Sequence, residues 1–215
     1  MVDFLFKLFL YAVPMFFAIV LHEMSHGLVA LMLGDDTAKR MNRFKLYTHF
    51  DLFGSFLLPL FLYICHSPFM IGYAKPVPVD IRKFKDPLLD FALVAAAGPA
   101  CNFILAFCSL FIIKSFPNLP ILFLQMLAVF SMTNLGLGFF NLIPIPPLDG
   151  SRIVAYLLPR QLAFKYAQLE RFGILIIFGL EFLSSYVCRI FGSQSSLFDF
   201  FIHRPVLGIV EAMLY

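Results

Sequence analysis

The chain has 215 residues, of which 61% are hydrophobic and 13% charged, with 29 phenylalanines and a formal net charge of +3. A water-soluble domain of this length cannot hide so much apolar surface, so the composition excludes a soluble globular fold and points to a multi-pass membrane protein in contact with the lipid bilayer. No basic cluster marks a nucleic-acid partner, and none is expected.

The first apolar stretch, residues 8–33, reads LFLYAVPMFFAIVLHEMSHGLVALML and exceeds the ~20 residues that a spanning helix needs. It offers no small-residue cleavage site, so it is read as a span and not as a removable signal peptide. In its middle stand His22-Glu23-Met24-Ser25-His26. On a helix, H-E-x-x-H puts two imidazoles on one face, where they can bind metal beside a glutamate able to act as general base. Charged residues at membrane depth cost about 2.5–3.5 kcal/mol each on insertion scales, so they mark function.

The second stretch, 52–71, is interrupted by Pro59 and His66-Ser67-Pro68 and runs into Pro76-Val77-Pro78. Proline removes backbone donors and bends helices, so a re-entrant segment is expected. If it enters and leaves on one side, twelve of the 16 Lys and Arg lie on that side, against Lys7, Lys114, Arg189 and Arg204 on the other. A true span would split them nine to seven. The positive-inside rule therefore favours re-entry, with residues 34–90 and 144–171 cytosolic. From Gly72 to Asp80, small or β-branched residues alternate with prolines, which suits an extended edge strand near the membrane surface. Gly72, Val77 and Val79 are its candidate substrate contacts, by strand addition.

Further apolar stretches cover 88–113, 121–143 and 172–190. Ala95-Ala96-Ala97-Gly98 and Gly136 and Gly138 suit close helix packing. Glu181 is an acid within the last span, with no obvious partner. A sixth stretch, 197–215, is broken by His203, Arg204, Pro205 and Glu211 and is expected to lie on the surface or to cross poorly. Cys65, Cys101, Cys108 and Cys188 show no C-x-x-C spacing and read as packed free thiols. With no repeat or linker, the chain reads as a single domain, 1–215, with a core over 8–155 and C-terminal helices over 172–215. Its fold class is an all-α helical bundle of about 4–6 membrane segments, with a re-entrant segment and a short edge strand.

Two histidines bind zinc weakly, and catalytic zinc usually takes three protein ligands and a water. The metzincin pattern would place a third histidine where Met32 stands, and the next glutamate after Glu23 is Glu170. The prenyl-protein type of membrane metallopeptidase needs such a downstream glutamate. Instead the chain offers Asn141-Leu-Ile-Pro144-Ile-Pro146-Pro147-Leu148-Asp149-Gly150. Asp149 ends an apolar run, and its carboxylate would complete a His2Asp site. The alternative is a plain helix cap.

Together these residues resemble the site-2 protease family of intramembrane zinc metalloproteases, over most of residues 8–155. HEMSH is similar to the family's HExxH, AAAGPACN to its G-P-x-x-N element, and NLIPIPPLDG to its N-x-x-P-x-P-x-x-D-G signature. GYAKPVPVD resembles the segment ahead of the second element in compact bacterial members. The resemblance implies that His22, His26 and Asp149 hold one Zn²⁺, that Glu23 is the general base, and that Asn102 meets a substrate carbonyl or the oxyanion. An interhelical hydrogen bond is the other reading of Asn102. The implied activity is cleavage of transmembrane protein substrates in a bacterial inner membrane, with the site towards the cytosol. A non-catalytic zinc-binding scaffold or a metal transporter is the alternative; gathering of the polar groups at one depth, with a base, favours catalysis.

Overall fold

The computed structural model describes residues 2–49, 51, 54, 57, 61, 75–192 and 195–215, the side chains of residues 2–8 excepted. The described residues form helices, turns and coil, with no strand among them. In order they are α1 (Val2–Met32), α2 (Thr37–Arg40), α3 (Pro87–Ser115), α4 (Ile121–Leu142), α5 (Asp149–Leu157), α6 (Arg160–Ala167), α7 (Gly173–Ile190) and α8 (Arg204–Leu214). Four stretches among them are long and apolar enough to cross a membrane: Phe9–Met32, Pro87–Ser115, Ile121–Leu142 and Arg160–Ile190. The last joins α6 to α7 through a 3₁₀ turn, Gln168–Phe172.

Helix ends follow from local chemistry. α1 stops at Gly34, whose φ of 105° is costly for any residue with a Cβ. The Gly34 amide donates to Leu31 and the Asp35 amide to Ala30, which satisfies carbonyls that the helix itself leaves open. α3 starts with Asp86 as N-cap and Pro87 in the first turn; Asp86 accepts from the Leu89 amide, and Asp90 accepts from the Asp86 amide.

The interior of the bundle is α3, which packs on α1, α4 and α5. Ala106 and Leu110 of α3 meet Leu135 of α4 and Val206 of α8 in one buried cluster. The stretch 197–215 thus becomes an 11-residue helix docked on the bundle, preceded by one π turn, Asp199–His203, and is not among the candidate spans. Glu181 does have partners. Its carboxylate accepts from the Phe198 amide at 3.1 Å and the Ser185 hydroxyl at 3.3 Å, while Ser184 accepts from the Leu197 amide. A carboxylate placed on free amides at a helix start satisfies donors that hydrocarbon could not. Elsewhere α7 is bare: Leu175, Phe178 and Phe182 are exposed, as suits contact with lipid. Cys101, Cys108 and Cys188 are free thiols.

The expected re-entrant stretch 52–71 and Gly72 lie outside the described residues, apart from 54, 57 and 61. Residues flanking it are hydrogen-bonded to each other: the Lys75 amide donates to the His49 carbonyl at 3.0 Å. His49 itself is fully buried against the carbonyls of Arg43 and Lys75, a structural position. Residues 75–80 are coil, so the edge strand takes no ladder here. They are tied to the end of α1 through Asp35, whose buried carboxylate accepts from the amides of Thr37 and Asp80, from the Thr37 hydroxyl and from Lys83. Burial alone would raise this carboxyl, but those donors outweigh it and hold Asp35 below the usual carboxylate range. Phe84 then packs with Ala30 and Val94, so both ends of the segment return to one end of the bundle.

Asp35→Ala leaves buried donors unpaired and should destabilise the protein by about 1–3 kcal/mol at neutral pH, read as a lower melting temperature in detergent. Because the folded-state value is depressed, the contribution is present above the unfolded-state value of about 3.9 and lost as pH falls through the folded one. The gap between wild type and variant should therefore close in acid.

Candidate metal centre

One face of α1 carries His22 and His26 towards α3, and both imidazoles are buried. α3 admits them because residue 98 is glycine. A Cβ there would run into His22 Cε1 and lie 2.6 Å from both Cε1 and Nε2 of His26. His26 Nδ1 donates to the Val94 carbonyl of α3 at 2.7 Å. His22 Nδ1 lies 2.6 Å from Oδ1 of Asn102, one turn beyond Gly98. These outward bonds aim both Nε2 atoms at the same point.

Asp149 comes to that point from the proline-rich loop. It opens α5 without capping it: Leu148 holds the N-cap position, and no side-chain cap bond is made. The loop is braced by the C-terminal helices. Tyr166 donates to the Pro144 carbonyl at 2.6 Å, Gly173 packs directly on Pro146, and Arg152 joins Glu170 at 2.7 Å while lying over Phe91. Asp149 Oδ2 is buried and accepts no hydrogen bond. It lies 3.2 Å from His22 Nε2 and 3.4 Å from His26 Nε2, and the two Nε2 atoms are 3.1 Å apart.

With both Nδ1 atoms bonded outward, neutral imidazoles turn their Nε2 lone pairs towards the Asp149 carboxylate, an arrangement that a bound cation would relieve. The size of the triangle tests which one. Zinc takes nitrogen and oxygen ligands at about 2.0–2.1 Å, so tetrahedral neighbours stand about 3.3–3.4 Å apart. The edges of 3.1–3.4 Å are close to those of one face of that tetrahedron, and the His2Asp donor set fits Zn²⁺.

Glu23 lies half-buried beside this triangle, and its Oε2 accepts the Val77 amide at 2.9 Å. The segment 75–80 therefore reaches the site through its backbone. Val77 is buried over Gly27, and Val79 packs beside Ala30 and Phe84. Asn102 is fully buried, and its Nδ2 donates to Asn134 Oδ1 at 2.7 Å and reaches the Ala18 carbonyl at 3.4 Å. Both ends of the amide are thus engaged within the bundle. Asn134 was not singled out by the sequence reading. An amide in the middle of an apolar span was the available signal.

Comparison with known proteins identifies the family. The family model for peptidase family M50 matches residues 118–180, a stretch that contains the proline-rich loop and Asp149. The chain is 38% identical over 182 residues to the protein named "Putative zinc metalloprotease YwhC" of Bacillus subtilis (strain 168), with 78% of each chain covered. The chain belongs to peptidase family M50, the site-2 proteases. No solved structure matches it. As an M50 peptidase it is a membrane-embedded metalloprotease, and the triangle of His22, His26 and Asp149 is where such a metal would sit.

Gly98→Ala should push the imidazoles off α3. Zinc affinity, measured by competition with a chelator, should fall by about 10–100-fold, the size of effect expected when ligand orientation is disturbed.

Proposed function

We propose that this M50 peptidase is an intramembrane zinc endopeptidase that cuts single-pass membrane proteins within or beside their spanning segments. Regulated intramembrane proteolysis or clearance of signal-peptide remnants would be served by that cut. The observation that carries the reading is the convergence of His22 Nε2, His26 Nε2 and Asp149 Oδ2 next to the Glu23 carboxylate, between helices of membrane length. His22, His26 and Asp149 would hold one Zn²⁺ per chain. Bound there, zinc supplies a Lewis acid that lowers the pKa of water towards about 7.

Glu23 serves as general base. Its Oε2 is held by the Val77 amide, which leaves Oε1 to accept a proton and pass it to the leaving amine. Asn102 acts by orienting His22, since the amide hydrogens that an oxyanion contact would require are directed to Asn134 and Ala18. The site's depth and its base distinguish this reading from a scaffold or a transporter.

A helical substrate keeps its carbonyls in its own hydrogen bonds, so it must unwind to be cut. Residues 75–80 would receive the unwound strand through their backbone, because the side chains of Val77 and Val79 are packed inward. Pro76 and Pro78 carry no donors. The amides of Lys75, Val77 and Asp80 are engaged, and that of Val79 has no partner among the described residues. Val79 thus offers the open donor for pairing. The charge bias sets this end of the bundle towards the cytosol, in a bacterial inner membrane.

Purified in detergent, Glu23→Gln should keep one zinc per chain and lose roughly 10²–10⁴-fold in cleavage of a model transmembrane substrate. Val79→Pro should keep zinc and slow cleavage; unchanged turnover in either variant would refute the role given to that residue. For topology, Lys45→Cys and Lys85→Cys should both react with an impermeant thiol reagent from the cytosolic face only, and labelling from opposite faces would overturn the arrangement.

A further inference from the structure

His26 and His22 are oriented by different means. His26 Nδ1 faces a backbone carbonyl, that of Val94, which can only accept, so the proton sits on Nδ1 and the lone pair on Nε2. His22 Nδ1 faces the side chain of Asn102, and an amide has a donor end and an acceptor end of nearly the same shape. Something must decide which end His22 meets.

That decision can be traced to α4. Asn134 is fully buried, and its Nδ2 donates to the Phe130 carbonyl at 2.8 Å. The carbonyl only accepts, so Asn134 must turn Oδ1 the other way, towards Asn102. Asn102 must then offer Nδ2, at 2.7 Å, and so presents Oδ1 to His22 at 2.6 Å. An acceptor at Nδ1 requires the proton to be there. The remaining acceptor for Asn102 Nδ2 among the described residues, the Ala18 carbonyl, is at 3.4 Å and is too long to set the amide alone.

We propose that Asn134 is a positioning residue for the metal centre: through Asn102 it commits His22 to a proton on Nδ1 and a lone pair on Nε2 facing Asp149 and His26. The inference rests on the zinc-site reading above. Without Asn134, the Asn102 amide is free to turn over, offer Nδ2 to His22 and place a proton on Nε2, where it blocks ligation. Three helices thereby share the task of aiming one lone pair.

The test compares wild type, Asn134→Leu and Asn134→Asp in detergent at one mildly alkaline pH. Leu fills similar space without polar ends; in Asn134→Asp, a carboxylate oxygen still accepts from Asn102 Nδ2 and so keeps that amide in place. Zinc affinity by chelator competition should fall about 10–100-fold in Asn134→Leu and stay at the wild-type level in Asn134→Asp. In metal-free protein with ¹⁵N-labelled histidine, nitrogen shifts should place the His22 proton on Nδ1 in wild type and on both nitrogens in Asn134→Leu. A melting temperature of metal-free Asn134→Leu that falls while zinc affinity holds would mean a merely structural role and overturn the proposal. So would a wild-type His22 proton on Nε2, a measurement that stands even if Asn134→Leu fails to fold. Wild-type protein that binds no zinc removes the metal centre and this proposal together; equal zinc binding by wild type and Asn134→Leu removes the proposal alone.

Discussion

Within this bundle, two imidazole nitrogens and one carboxylate oxygen meet at 3.1–3.4 Å with their lone pairs turned towards one another. Such a cluster is one that a bound cation would relieve. It also lies among apolar helices, where uncompensated charge is costly. Other features of the site follow from keeping those atoms in place. Each imidazole is bonded on its outer side, Gly98 lets both lie against α3, and the loop bearing Asp149 is clamped from outside by Tyr166 and Gly173. The rigidity needed by the metal is thus distributed over helices that do not touch it.

The extended segment after the second stretch has a second role that its prolines alone do not suggest. By donating the Val77 amide to Glu23, it holds one oxygen of the carboxylate. Buried Asp35 fixes the same segment further along through the Asp80 amide and Lys83. The backbone of residues 75–80 and the Glu23 carboxylate are therefore mechanically joined. Movement of one displaces the other.

The bundle is unevenly consolidated. α3 is enclosed by α1, α4, α5 and α8, whereas α7 buries little beyond Gly173 and Ile177. Close van der Waals packing and interhelical hydrogen bonds hold the first group together, and lipid completes the covering of the second. Glu181 shows how the loosely packed helix is still tied in, since its carboxylate takes the Phe198 amide while neighbouring Ser184 takes that of Leu197.

Much of the chemistry was legible in the residues. H-E-x-x-H in an apolar span and Asp149 behind three prolines each break a rule of membrane sequences, the skewed basic residues follow one, and all three are readable without coordinates. Pairings between distant residues were not legible. Glu181 with Phe198, Val77 with Glu23, and Asn134 with Asn102 join positions whose meeting depends on how helices rotate and stack, which apolar periodicity all round a helix leaves open. By itself the sequence determined which side chains are present, on which helices, and that a membrane surrounds them. Tertiary structure alone decided which end of the Asn102 amide faces His22, that Asp149 turns to the imidazoles instead of capping its helix, and that Glu23 meets the Val77 amide. The reason is directional: a hydrogen bond or a lone pair is set by the orientation of groups brought together from separate helices, and no spacing along one chain specifies it.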